Sequence, residues 1–396
     1  MKFRHQVLCF LSAIAAFAVS CIFSSAQSLA QTAYVTQGGI GGFRQEVVGV
    51  DTATNTITAG IDDCCFAFHV AAIPGGSRVY VTHLVAGPAG SAGVHVIDAA
   101  TTTVIATIPL TQPGDLAVSP DGSRVYVTAA GAYNTGAVSV VATATNRVVA
   151  TIPVTGASGV AVSPDGGKVY VSGNPVSVIE TATNRVVATI PVSATGAVAV
   201  AQDASKVYVA DPTVGSVYVI ETTTNAVTAT IPFVYGPFDL TVSPDGSKVY
   251  VAGLPPGQPN AGLSVIDTAT NTVTTLISGL NSALGVAVTS DGGGVYFADE
   301  GSDTVWIFDL VTNAVSALVH TGAFDDPFFV AIPPPLVFAG TPGTASCIRH
   351  SVSALVRGFG GPNVAAVTLG FPSISALQNA VLAYCDGSDQ VASTLR

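Results

Sequence analysis

The 396-residue chain is short of charge: Asp, Glu, Lys and Arg make up 9% of it, against about 25% in an average soluble domain. It holds one Met and one Trp. Long helices and coiled coils draw on Glu, Lys, Leu and Arg, so this shortage excludes them. Disorder needs low hydrophobicity with high charge, and 49% of these residues are hydrophobic, which excludes disorder as well. Lys and Arg are scarcer still, 13 against 24 acids, and such a balance repels nucleic acid and anionic lipid. Gly-x-Ser-x-Gly, His-Glu-x-x-His and phosphate-loop motifs are missing, and so is the Cys-x-x-Cys-His haem motif. Beyond residue 30 no apolar run is long enough to span a bilayer. What the chain does have is 41 Gly, 23 Pro and an abundance of Val, Thr and Ala, the material of a large β protein.

The first 30 residues read as a secretory signal peptide. Lys2 and Arg4 precede an apolar run, Val7 to Phe23, and a small-residue segment ending at Ala30 follows. Cleavage fits best after Ala30, with Ala26 as the alternative; a lipoprotein processed at Cys21 is the weaker reading, because Ile22 and Phe23 prolong the apolar run. Removal moves the net charge from −11 to −13, since two bases and no acids leave. The expected location is secreted or periplasmic. Four cysteines then remain, Cys64, Cys65, Cys347 and Cys385, and an even number in an exported chain suggests disulfides.

One phrase recurs: Val-Ser-Pro-Asp-Gly-Ser-Lys-Val-Tyr-Val. Clear copies begin at Val118, Val162 and Val242, and its tyrosine falls at Tyr34, Tyr80, Tyr126, Tyr170, Tyr208, Tyr250 and Tyr296, 38 to 46 residues apart. A second phrase, Val-Ser-Val-Ile-Asp-Thr-Ala-Thr-Asn-Thr-Val, alternates with it. Each unit predicts four short strands, here called A to D. In the fourth they are Gly159–Val162, Lys168–Val171, Val176–Ile179 and Arg185–Ile190, with Ser163-Pro164-Asp165-Gly166 turning A into B. A period of about 40–45 residues with four strands per unit is that of a β-propeller blade. Seven repeats predict seven blades over residues 31–340. The first repeat starts at strand B, and its missing strand A is found at Phe328–Ile332, so the two ends of the chain are expected to close the ring and remove its edges.

These phrases resemble the YVTN-type β-propeller repeat family, found in secreted and surface-exposed prokaryotic proteins. The resemblance covers about residues 33–340 and implies surface and interaction roles. A WD40 propeller shares the period, but its Trp-Asp dipeptide is absent.

After Gly340 the apolar spacing turns helical: Ile348, Val352, Leu355, Val356 and Phe359 make one stripe, and Ile374, Leu377, Val381 and Tyr384 another. Residues 341–396 are therefore expected to be a small helical module, with Cys347 and Cys385 bridged around it. Such a bridge would add roughly 3–4 kcal/mol by loop entropy. Adjacent Cys64 and Cys65 leave three readings open: a strained mutual ring, separate partners, or two small buried residues. The spacing of zinc ligands is missing.

In a four-stranded meander the A–B and C–D turns share one face, and the B–C and D–A loops share the other. The repeated face carries eleven acids against seven bases, in register, as turn formers do. The variable face carries eleven acids against Arg44 alone. Function sits on variable loops more often than on repeated ones. Two groups stand out there. Residues just before each inner strand should ring the mouth of the axial channel: His69, Asp115, Gly159, Ala197, Asp239, Gly285 and Phe329. Of these, His69, Asp115 and Asp239 are the candidates for a base with its partners or for metal ligands. The second group is Asp299, Glu300, Asp303, Asp325, Asp326, Asp62 and Asp63, which ring closure gathers on one sector as a candidate calcium site. His83, His95 and His320 are scattered singly and read as ordinary surface or interblade residues. The leading functional expectation is a binding scaffold presenting its acidic face to a protein or polysaccharide ligand. The alternative is a lactonase-like or other metal-assisted hydrolase at the channel mouth.

Overall fold

The computed structural model describes residues 31–38, 46–62, 67–83, 92–130, 136–233, 236–254, 261–320 and 326–334. Among these residues 28 strands form seven four-stranded antiparallel sheets, and the chain is a seven-bladed β-propeller. The signal-peptide segment, Cys64, Cys65 and the C-terminal module with Cys347 and Cys385 lie outside the described residues.

Six blades are continuous meanders. Blade 4 runs Val160–Val162, Lys168–Val171, Val176–Glu180 and Arg185–Ile190 from the axis outward. Blade 1 takes its innermost strand from the far end of the chain: Pro327–Ala331 pairs with Thr32–Gln37, Tyr34 opposite Ala331 and Val35 opposite Val330. The expected closure therefore forms, shifted by one residue. Gln31 ties the junction further, its Nε2 donating to the Pro333 carbonyl and its Oε1 accepting from Ser290 of blade 7.

The Val-Tyr-Val run is strand B, sandwiched between sheets and buried on both faces, as Lys168–Val171 illustrates. Among the described residues the hydrophobic clusters lie between blades. Tyr170, Val176 and Val178 of blade 4, for example, pack on Val198, Val207 and Ile220 of blade 5. Strand D is the outer edge, and its first residues are exposed: Val149 is 51% and Val187 54% accessible. A register shift recurs where strands C and D pair, as between Val178 and Ile179, and such bulges blunt an exposed edge.

The turns explain the rest of the repeat. In Ser163-Pro164-Asp165-Gly166 the Ser163 hydroxyl donates to Asp165, whose carboxylate also accepts the Gly167 N–H at 2.9 Å. These bonds hold the Asp165 carboxyl below its ordinary range. Six of the seven C–D turns end in an Asn with a left-handed backbone, φ near +53° at Asn184, and blade 2 has Thr102 there; Asn tolerates this conformation better than other side-chain-bearing residues.

Candidate functional site

The seven channel positions do not all precede the inner strands. His69, Asp115, Asp239, Gly285 and Phe329 lie inside them, within Ala67–Ala72, Pro113–Val118, Gly236–Val242, Ala283–Val288 and Pro327–Ala331. The cause is a bulge at this level: pairing slips between Ala67 and Val70, between Pro113 and Leu116, and between Ala283 and Val286. The extra residue of a bulge bends its strand and re-aims a side chain.

His69 and Asp115 come together. His69 Nδ1 lies 3.1 Å from Asp115 Oδ1, each side chain 19% accessible. The His69 ring stacks on Phe329, centroids 3.7 Å apart, and Phe68 meets it edge-on at 4.5 Å. With Nδ1–H donated to the carboxylate, the neutral imidazole keeps its lone pair on Nε2. The arrangement can therefore present a base.

Asp239, four blades on from His69, is held apart from that pair. Burial pushes its carboxyl up to about 7; the Val286 N–H opposes the rise, Asp115 adds to it and His69 lowers it. Asp239 is half-buried at its own surface, and the protein packed around it leaves the charged form poorly hydrated.

Both carboxylates also have structural partners. Asp115 accepts the Leu116 N–H at 2.7 Å and, across to blade 4, the Val160 N–H at 2.9 Å. Asp239 repeats this with the Leu240 N–H and, across to blade 7, the Val286 N–H, both at 2.8 Å. In each case the receiving blade has glycine beside the donor. A Cβ on Gly159 would meet the Gly196 carbonyl oxygen at 2.4 Å, and one on Gly285 the Phe329 Cα at 2.6 Å.

A hydroxyl two residues after the repeat tyrosine is a further device that the sequence reading missed. Thr36 donates to the Phe68 carbonyl of the next blade, Thr128 to that of Ser158 and Ser172 to that of Gly196, at 2.6 to 2.7 Å. The signal was present as Thr or Ser at this position in blades 1 to 4 and Ala210, Ala252 and Ala298 in blades 5 to 7.

The acidic sector is engaged by its own loops. Asp299, 1% accessible, accepts the Ser282 N–H and the Ser302 hydroxyl, both at 2.7 Å, and Glu300 accepts the Ser282 hydroxyl at 2.7 Å. Asp303 accepts the Asp326 N–H at 3.3 Å. Asp63, Asp325 and the side chain of Asp62 lie outside the described residues. Among the described residues no three His, Cys, Asp or Glu side chains converge as a metal would require; this holds for His69, Asp115 and Asp239 too. His320 contacts the Thr304 hydroxyl at 3.0 Å. His83 and His95, in contrast, are not scattered: their rings adjoin, centroids 4.1 Å apart, and both are buried.

The fold is shared widely among solved structures. Hydrazine synthase of Kuenenia stuttgartiensis is 25% identical over 69% of this chain and 91% of that one, with a TM-score of 0.59. A functionally unknown protein of Desulfotomaculum acetoxidans is 18% identical over 77% and 100%, at 0.61. A Bacteroides fragilis protein provisionally assigned as a 6-phosphogluconolactonase is 13% identical over 78% and 99%, at 0.59. No family model matches the chain, and no curated protein matches it significantly.

Proposed function

We propose that the protein is an exported binding scaffold that holds a protein or polysaccharide ligand on its variable, acidic loop face. The observation that carries this reading is the engagement of the channel carboxylates. Asp115 and Asp239 each accept two backbone N–H groups, one from the neighbouring blade. They are placed to hold the ring together, and Gly159, Ala197 and Gly285 add no chemistry at their level. The variable loops carry eleven acids against one base, and that negative charge suits a basic partner or one bridged by cations. The resemblance to YVTN-type propellers agrees with this role. The test is capture of ligands from the parent cell envelope by the full processed chain. Asp303→Lys with Asp326→Lys should abolish capture; retention by this variant, with loss in a variant of the repeated face, would overturn the assignment.

A channel hydrolase is the second reading, favoured by the His69–Asp115 pair and by a carboxyl at Asp239 that titrates near 7. The provisionally assigned phosphogluconolactonase shares the fold. A phosphorylated sugar acid suits this channel poorly, because its seven mouth residues include two Asp and no Lys or Arg, and like charges repel an anion. An uncharged lactone fits better. Hydrolysis of neutral lactones that disappears in His69→Gln would favour this reading over the scaffold.

A further inference from the structure

The exposed hydrophobic side chains are not spread evenly over the ring. Among the described residues twelve large ones are exposed, and ten of these lie in a C–D turn or in the first three residues of a strand D. The C–D turns belong to the repeated face, so this apolar rim surrounds that face. Val214 and Phe238, the other two, lie toward the variable face.

The bulge where strands C and D pair decides which blades carry most of the rim. In blades 1, 5 and 7 the residue that the bulge leaves without a cross-strand partner is Thr58, Thr228 or Ser316. Each donates its hydroxyl back to a strand C carbonyl, that of Gly49, Val219 or Ile307, at 3.1 to 3.3 Å. In blades 2, 3 and 4 the same residue is Ile105, Val149 or Val187. These side chains can make no such bond, and they are 48%, 51% and 54% accessible. Blade 6 has no bulge at this level, its pairing being regular from Thr272 to Thr275. Neighbours on a strand point to opposite faces, yet Val104, Val148 and Val186 are exposed beside these three. Three consecutive blades thus present aliphatic pairs where the others use hydroxyls or a regular ladder. Single exposed hydrophobics need no explanation, but grouped ones mark an interaction surface.

Both described ends of the chain leave from this same face. Gln31 joins the blade 1 C–D turn, its carbonyl accepting the Thr52 N–H. At the other end the Pro334 carbonyl accepts the Gly75 N–H of the blade 2 A–B turn. Residues 335–396 therefore start beside blade 2, where the aliphatic group begins. Strands lie about 4.8 Å apart, which puts strand D about 14 Å out from strand A. The segment from 335 to 347 reaches roughly 40 Å when extended, ample for blades 2 to 4. Beyond it come the two apolar stripes at helical spacing, and from 341 to 385 the only charged residues are Arg349 and Arg357. The repeated face opposes them with eleven acids against seven bases. A segment of this length buries little apolar surface by itself.

We propose that residues 341–396 dock on the rim of the repeated face, laying their apolar stripes on Ile105, Val149 and Val187 of blades 2 to 4. The aliphatic side chains lose their contact with water, the two arginines meet the acid-rich turns, and the tether makes the contact intramolecular. Docking there covers the outer edges of these three blades and leaves the variable face open, whatever that face binds.

The test uses the full processed chain carrying one photoreactive side chain, Phe359→benzoylphenylalanine, with Leu377→benzoylphenylalanine as a second probe. Illumination is expected to give adducts within one molecule, mapped by mass spectrometry to peptides holding Ile105, Val149 or Val187. The triple substitution Ile105→Thr, Val149→Thr, Val187→Thr installs the kind of side chain that blades 1, 5 and 7 use at this bulge, so the propeller should keep its fold. It should abolish those adducts, whereas Val214→Thr on the variable face should leave them unchanged. Adducts confined to residues 335–396, formed only between two molecules, or mapped only to other blades would refute the docking. An unchanged yield in the triple variant would refute it equally. If that variant does not fold, the adduct map of the chain without it decides.

Discussion

Asp239 should make the protein lose stability as pH rises through the neutral range. Its carboxyl moves from an ordinary 3.8 in the unfolded chain to about 7 in the folded one. Ionising it in place therefore costs on the order of 4 kcal/mol relative to the unfolded chain. The sign follows from proton counting. Between pH 4 and 7 the folded state holds a proton that the unfolded state has released, so unfolding free energy falls with pH, by up to about 1.4 kcal/mol per pH unit. The contribution is complete below 3.8 and is lost as pH passes 7. Asp239→Asn removes the titration but spoils one bond, because the two oxygens accept the Leu240 and Val286 N–H groups and an amide NH2 cannot accept. The variant should thus be less stable than the parent at pH 5, by about 1–3 kcal/mol for the unsatisfied donor, and should close that gap by pH 8. Denaturant unfolding at four pH values between 5 and 8 measures both slopes. Parallel slopes in parent and variant would show that Asp239 ionises normally and that the enclosing channel does not raise its pKa.

Three further outcomes can be measured in the same way. Ser172→Ala should cost about 2–3 kcal/mol by leaving the Gly159 N–H and the Gly196 carbonyl, both at 2.7 Å from its hydroxyl, without that partner; a loss below 0.5 kcal/mol would show that water replaces it. Gly285→Ala should destabilise by more than about 2 kcal/mol, since its Cβ would meet backbone of Phe328 and Phe329 at 2.6 Å that only a shift of the closing strand can relieve; an unchanged melting temperature refutes it. Asp245, held down to about 2 by the hydroxyls and N–H around it, contributes stability present above 3.8 and lost as pH falls through 2, so Asp245→Ala should shift the acid-unfolding midpoint upward.

Much of the fold was legible because the repeat is written in backbone chemistry. Ser-Pro-Asp-Gly and the left-handed Asn fix both turns of the repeated face, and Tyr170 and its equivalents mark strand B wherever they occur. Ring closure was legible as one strand missing at the start and one extra at the end. The bulges that draw His69 and Asp115 inside their strands were not, since no local residue type demands them. The partners of the channel carboxylates were hidden for a different reason. Asp115 and the Val160 N–H are 45 residues apart, and only the blade-to-blade spacing of the closed ring joins them. The same holds for His83 and His95, whose adjacency depends on the register of two strands. On the acidic sector, sequence reasoning could count Asp299 and Glu300 but could not foresee that Ser282 and Ser302 occupy their oxygens.

The two carboxylates in the channel are not equivalent, and the hydroxyl positions show why. At the junction of blades 3 and 4, Asp115 holds the Val160 N–H while Thr128 independently holds the Ser158 carbonyl at 2.6 Å. At the junction of blades 6 and 7, Ala252 stands where Thr128 would be, and Asp239 is the side chain that catches the Val286 N–H. Removing Asp115 thus leaves one cross-blade link in place; removing Asp239 leaves no such side-chain link among the described residues. At pH 5, where Asp239 is neutral and carries no ionisation cost, Asp239→Ala should therefore destabilise more than Asp115→Ala, by about 1 kcal/mol, the net worth of the one hydrogen-bonded link that Thr128 keeps at the other junction. Ala252→Thr should recover part of that loss in the Asp239→Ala background if the hydroxyl can reach across as Thr128 does. The reverse ranking of the two alanine variants would mean that the His69–Asp115 contact, and not the grip on the neighbouring blade, is what the channel carboxylates chiefly contribute to the ring.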